Sequence, residues 1–295
     1  MKNVYITGGT GFVGLNLQSY LVNEYLFRKS KKDEDIIIKE EIVIHLAGKA
    51  HDIKNVAQPE EYYQVNTELT KRVFDAFLQS SSEVFITLSS VKAVADSIDG
   101  VLTEEEVPQP QTHYGKSKLL AEQYILEQSI PAGKRVYIIR PCMIHGPGNK
   151  GNLNLLYQVV CKNLPWPLAA FNNRRSFCSI ENLSFVINEL IRREDIPSGV
   201  YNMADDEAIS TNDLIRYMAE SLGRKPKLLQ IPANFIRLLS RLGDCLKLPL
   251  NSERLRKLTE SYVVSNKKIR NAIRKPFPLT HKEGLMKTFN SFLSK

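Results

Sequence analysis

The stretch Tyr114-Gly115-Lys116-Ser117-Lys118 sets a phenol and an ammonium four residues apart. On a helix that spacing puts Tyr114 and Lys118 on one face, about one turn apart. A phenol titrates near 10, so a tyrosine that accepts a proton near pH 7 needs about three pK units, roughly 4 kcal/mol, of preferential phenolate stabilisation. One exposed ion pair contributes at most about 1 kcal/mol. A partly buried Lys118 supplies part of the difference, and a second positive charge near the phenol must supply the rest. Upstream, Ser89 and Ser90 follow the apolar run Val84–Leu88. They stand at the carboxyl edge of a predicted strand, where open α/β sheets bind ligands. From there Ser90 can hydrogen-bond the same substrate oxygen as Tyr114.

A source for the second charge lies at the N-terminus, in Thr7-Gly8-Gly9-Thr10-Gly11-Phe12-Val13-Gly14. The glycines follow a predicted strand and open a predicted helix, the context that a dinucleotide fingerprint requires. Gly8 permits the tight turn, Gly11 lets the backbone approach a pyrophosphate, and Gly14 allows close helix–strand packing. The helix start, with Phe12 and Val13, supplies N–H donors and a partial positive charge. An oxidised nicotinamide bound here brings the missing charge to Tyr114. Arg28 and Lys29 fall near the end of the second strand, where NAD and NADP are told apart. Two cations favour the 2′-phosphate of NADP, whereas Asp33 or Asp35 takes the ribose in another register, as NAD requires.

These groups need a sheet to hold them. Short β-branched runs, Asn3–Thr7, Ile42–Leu46, Val84–Leu88 and Val136–Ile139, alternate with helical stretches at 11–24, 60–79 and 113–127, the signature of βαβ units and a parallel sheet. Tyr25–Phe27 reads as the second strand and Ile36–Ile38 as a short further one, so the segment 26–41 is abnormally short. Beyond Arg140-Pro141 come Gly/Pro/Asn-rich loops, then helical patterns near 181–193, 211–222, 234–247 and 280–293. The expected fold is α/β, a doubly wound parallel sheet with a smaller, mostly helical region. Residues 1–141 plus about 175–198 form the first, and 142–174 plus about 199–295 the second.

Composition narrows the partners. The 295 residues are 43% hydrophobic and 24% charged, which excludes disorder, collagen and coiled coil. The net charge of +8 suits nucleic acid, anionic lipid or an anionic small substrate. The basic residues are scattered, densest at Arg28, Lys29, Lys31 and Lys32, with no aromatic-interleaved stripe, so nucleic acid is not an expected partner. Four distant cysteines argue against disulfides and a metal site. The start at Met1-Lys2-Asn3-Val4 and the absence of a spanning apolar run make cytoplasm the expected compartment.

Thr7–Gly14, Ser89-Ser90, Tyr114–Lys118 and Arg140–Gly148 together resemble the extended short-chain dehydrogenase/reductase family, the nucleotide-sugar epimerases and dehydratases, across nearly the whole chain. The resemblance implies a Rossmann-like sheet and an NAD(P) cofactor. It makes Tyr114 the general acid/base, Lys118 the holder of the nicotinamide ribose, and Ser90 the residue that orients the sugar oxygen. Leu46-Ala47-Gly48 resembles the family's cofactor-side loop, and Asn66 its helix asparagine. A homodimer through the helices near 60–79 and 113–129 is implied in the same way.

Family dehydratases that eliminate water across C5–C6 carry an Asp-Glu pair after the serine, because elimination needs a separate acid and base. Here the stretch reads Ser90-Val91-Lys92-Ala93, which disfavours that reaction and leaves epimerisation or keto-sugar reduction. Asn152 and Asn173-Arg174-Arg175-Ser176 resemble a nucleotide-diphosphate site, with Arg175 as the bidentate guanidinium. With Lys92 and Asp205–Thr211 they resemble the subgroup acting at C4 of UDP-linked N-acetylated 6-deoxyhexoses in surface-polysaccharide synthesis. A catalytically silent NAD(P) sensor is the alternative. His45 reads as a satisfied core histidine, His51 and His145 as loop caps, and Trp166 as a base-stacking ring or a plug between regions.

Overall fold

The computed structural model describes residues 1–30, 36–49, 58–149, 151–246 and 251–293, with the side chains of Asn152 and Cys245 outside that description. Asp33, Asp35 and His51 therefore lie outside the described residues, as does the Asn152 side chain. The chain opens with β1 (Lys2–Thr7), α1 (Phe12–Leu21), β2 (Tyr25–Lys29) and β3 (Ile42–His45). Next come α2 (Pro59–Tyr62), a π-helical stretch (Tyr63–Glu68) and α3 (Leu69–Gln79). They lead to β4 (Val84–Leu88), β5 (Val101–Leu102), α4 (His113–Glu127), β6 (Arg135–Pro141) and β7 (Met143–His145). The second half runs through α5 (Asn152–Cys161), β8 (Phe177–Ser179), α6 (Ile180–Arg192), β9 (Gly199–Met203) and α7 (Thr211–Ser221). It closes with α8 (Ala233–Leu246), α9 (Ser252–Thr259), β10 (Val263–Val264), α10 (Lys267–Ile273) and α11 (His281–Leu293).

The main sheet has the order β2-β1-β3-β4-β6-β9, every neighbouring pair parallel. Buried on both faces, its strands are near-continuous Val/Ile runs. Successive side chains alternate between two cores. Val4 and Ile6 pack with Leu17 and Leu21 of α1 and with Leu183, Val186 and Leu190 of α6. Tyr5, Val43, Phe85 and Ile138 pack on the other face with Val73, Phe74 and Phe77 of α3 and Ile125 of α4. The α/β doubly wound expectation holds. Strand order reverses between β1 and β3, so the carboxyl ends of β1, β3 and β4 open on the crevice where such folds bind ligands. A separate core of Leu153, Tyr157, Trp166, Phe177, Leu214, Met218, Leu285 and Phe289 organises the second region, so Trp166 is a core ring of that region, not a plug between the two.

Two expectations are corrected. Ile36–Ile38 is not a strand: both edges of β1 are already taken by β2 and β3, and Ile38 packs as irregular chain beside Tyr5 and Val43. The second region does not resume at 199, because β9 joins the sheet, pairing Tyr137 with Gly199 through Pro141 with Met203. A five-residue edge strand behind a Pro-Ser dipeptide carries too short a pattern to separate from the loops around it.

Candidate active site

The glycine turn is shaped by backbone contact. Gly8 has φ +68°, and a Cβ there would lie 2.5 Å from the Ala47 nitrogen. A Cβ on Gly14 would lie 2.4 Å from the Gly8 carbonyl oxygen. Gly11 is exposed and donates its N–H to that oxygen at 3.0 Å, and no side chain caps α1. The first-turn amides of Phe12 and Val13 have no partner within the helix and sit at its positive end. Loop 46–48 spans from this turn to the second motif: a Cβ on Gly48 would stand 3.0 Å from the Lys118 Nζ and 3.2 Å from the Asn66 Oδ1. These features fit a dinucleotide. Unshielded glycine backbone and a helix start suit its diphosphate, and an ammonium behind Gly48 suits a ribose.

A buried chain of hydrogen bonds ties the two motifs together. The Thr70 hydroxyl donates to the Asn66 carbonyl at 2.8 Å, so it accepts from the His45 Nε2–H, also at 2.8 Å. Burial, then the nearby Lys118 charge, push His45 down to about 3, so the ring is neutral and its Nδ1 accepts from the Thr7 hydroxyl at 2.7 Å. The Thr7 oxygen in turn accepts the Ala47 N–H at 3.2 Å. Asn66, fully buried in the π-helical stretch, accepts from the Lys49 N–H at 2.8 Å and donates to Ser117 Oγ at 3.0 Å. His45 is the satisfied core histidine that its sequence position suggests.

Ser90 and Tyr114 meet because α4 starts tightly against the turn after β4. A Cβ on Gly115 would lie only 2.3 Å from the Lys92 carbonyl oxygen. Thr112 caps α4 by accepting the Gly115 N–H at 3.2 Å, and Asp96 Oδ2 accepts the N–H groups of Gln111 and Thr112 at 2.7 and 3.1 Å. Ser90 Oγ accepts the Lys92 N–H at 3.2 Å and shares a side-chain hydrogen bond with Tyr114. Burial pushes the Tyr114 phenol up from its ordinary value, and the Ser90 bond opposes the rise. Lys118 is more deeply buried than expected and donates to the Leu88 carbonyl at 2.9 Å. Burial lowers it to about 8, against the pull of Glu122. Glu122 also holds Arg140 of β6 in a buried bidentate pair, with contacts of 2.5 to 3.1 Å. The Ser89 hydroxyl is buried with no hydrogen-bond partner.

A cationic cluster stands beside this triad. Lys92 Nζ lies 4.1 Å from the centre of the Tyr262 ring and donates to the Asp96 carbonyl at 2.6 Å. Burial lowers Lys92, and Asp96, Arg175, Glu260 and Arg256 lie within electrostatic reach of it. Burial also lowers Arg175, which donates to the Lys257 carbonyl at 2.8 Å, and Glu260 opposes that shift.

A family model described as the NAD dependent epimerase/dehydratase family matches residues 4–204. The chain belongs to that family. It is 27% identical to a UDP-glucose 4-epimerase of Vibrio cholerae over 99% of this chain and 96% of the relative. It is 26% identical to an N-acetyl-α-D-glucosaminyl-diphospho-ditrans,octacis-undecaprenol 4-epimerase of Escherichia coli O157:H7, over 78% of this chain and 75% of the relative. Among solved structures, MoeE5 in complex with UDP-glucuronic acid and NAD superposes with a TM-score of 0.76 at 21% identity, over 99% of each chain.

In this epimerase/dehydratase-family chain the two cations after the second strand part company. Strand alternation sends Arg28 over the Tyr5 ring, 4.6 Å from its centre, where Glu40 and the Ile37 carbonyl engage it. Lys29 lies on the other face, its Cγ 3.5 Å from where a Cβ on Gly9 would sit. The expectation that both cations serve one phosphate is corrected to Lys29 alone at the turn. Gly115, Asp96, Arg256 and Tyr262 were not singled out in the sequence. Gly115 was legible as the second residue of the Tyr-Gly-Lys motif, while Arg256 and Tyr262 reach the cluster only through the fold. His145 is a buried link between Thr288 Oγ1 at 2.9 Å and Asp205 Oδ2 at 3.4 Å, not a surface loop cap.

Proposed function

We propose that this protein binds NAD(P) at the glycine turn and interconverts hexoses linked to a nucleoside diphosphate, UDP foremost, by hydride transfer at C4. The reaction is 4-epimerisation, supported by the near full-length likeness to a 4-epimerase. The observation that carries the reading is the contact of Gly48 with Lys118 and Asn66, which brings the glycine turn and the Tyr114-Lys118 face into one crevice.

When bound, the dinucleotide supplies the acceptor and donor of hydride. Tyr114 takes the proton of the C4 hydroxyl and later returns it, and Ser90, already bonded to Tyr114, holds the same oxygen. Lys118, one turn from Tyr114 on α4, donates to the Leu88 carbonyl and stands behind Gly48, where its ammonium would hold the cofactor ribose. Half-buried Lys92 and Arg175, with exposed Arg256 beside them, form a positive wall for the sugar diphosphate, and the planar Arg175 fork is suited to bidentate bonding. Residues 91–95 after Ser90 include no acid to serve elimination across C5–C6, and the Asp96 carboxylate that follows is occupied by the Gln111 and Thr112 N–H groups.

The test is dinucleotide binding followed by turnover of UDP-hexoses in wild type and Tyr114→Phe. Wild type binds NAD or NADP at one per chain; the variant keeps that affinity and loses turnover by about 10²- to 10⁴-fold. Unchanged turnover in the variant would favour the silent sensor, and absence of binding to either dinucleotide would remove the enzymatic reading.

A further inference from the structure

Helix α8 presents two different stripes. Ile236, Ser240 and Gly243, at i, i+4 and i+7, face inward and are buried. Phe235, Leu238, Leu239, Leu242 and Leu246, at i, i+3, i+4, i+7 and i+11, form a second continuous stripe whose members are 39% to 67% exposed. Five large apolar side chains along one helix face are more than the scattered singles that a monomer surface normally carries.

Charge selects the occupant. α8 and α9 together carry Arg237, Arg241, Arg254, Arg256 and Lys257 against only Asp244 and Glu253. Both acids are already engaged: Asp244 accepts from the Ser252 hydroxyl at 2.5 Å, and Glu253 pairs with Lys257 at 2.6 Å. Arg241 flanks the Leu238 edge of the apolar stripe. A second copy of the same face would bring like charges together, on a chain whose net charge is +8. Arg237 turns from the stripe to the Phe171 ring, so the apolar stripe has Arg241 at its margin and further cations on the adjoining α9, a pattern that matches an anionic lipid interface, where leucines enter the acyl boundary and basic side chains meet phosphates. No helix among the described residues is long and apolar enough to cross a membrane, so the helix would lie in the interface plane.

We propose that the Phe235–Leu246 face of α8 docks this protein on an anionic bilayer surface. The surface is joined to the crevice, since α9 packs on α8, takes the Arg175 hydrogen bond at Lys257, and brings Arg256 near Lys92. The proposal does not depend on the sugar chemistry and survives if that reading fails.

Co-sedimentation of the full chain with phosphatidylcholine vesicles, with and without phosphatidylglycerol, tests it. Binding is expected only with phosphatidylglycerol and weakens with salt. Leu238→Glu/Leu242→Glu is expected to lower it by roughly tenfold or more. Arg241→Glu, which leaves the apolar stripe intact, is expected to lower it by roughly tenfold. Both changes are on exposed positions, and an unaltered thermal melt verifies the fold. The proposal is overturned if phosphatidylglycerol vesicles bind no protein at low salt, or if neither variant weakens binding. It is equally overturned if light scattering shows that the double leucine variant turns a dimer into a monomer, which would make a second copy the occupant.

Discussion

Tyr114 and Lys118 carry opposite titration problems, since burial pushes the phenol up and the ammonium down to about 8. Both shifts favour the uncharged forms, so the charged pair that the proposed proton transfer needs would be held by neighbours: Ser90 for the phenol, Glu122 and the Leu88 carbonyl for the ammonium. The cost is measurable through stability. Between pH 8 and its ordinary value of 10.5, Lys118 keeps its proton in the unfolded chain and sheds it in the folded one. Its penalty is therefore fully present below pH 8 and fades as pH rises through that window. Lys118→Met is expected to stabilise the fold at pH 7 by up to about 3 kcal/mol, and to give no such gain above pH 10.5. Denaturant melts at the two pH values check this; an equal change at both would refute it. At this scale the motif residues were legible, because their chemistry is written in type and spacing. The partners of Lys118 were not, since Leu88 contributes only a backbone carbonyl.

Elements meet through backbone contacts that leave little trace in hydropathy. The turn after β4 and the start of α4 touch at Gly115, where any Cβ would press into the Lys92 carbonyl. Gly115→Ala is expected to push α4 away from Ser90, costing about 1–3 kcal/mol of stability. It should also lower turnover far more than dinucleotide binding, with thermal melts and binding titrations as the measurements. An alanine variant with wild-type turnover would show that Ser90 and Tyr114 are not placed by this contact. The main strands were legible because buried parallel strands are continuous apolar runs. The π-helical stretch was hidden inside a good amphipathic pattern, and only the fold reveals that it turns Asn66 toward Lys49 and Ser117.

At the scale of the whole molecule, a sheet built from residues 2–203 supplies the crevice, and α9 with the loop after it returns to deliver Arg256, Glu260 and Tyr262. That return was not legible, because residues that meet across more than 150 positions share no local pattern. Asn173-Arg174-Arg175 was legible as a polar cluster, but its placement beside Lys92 depends on the isolated β-bridge between Arg175 and Tyr262. The proposed hydride transfer at C4 is read out by UDP-hexoses deuterated at that carbon. After incubation with protein and NAD or NADP, the C4 epimer is expected with deuterium retained at C4. Epimer formed with the label lost to water, or no epimer from any UDP-hexose while dinucleotide is bound, would contradict it.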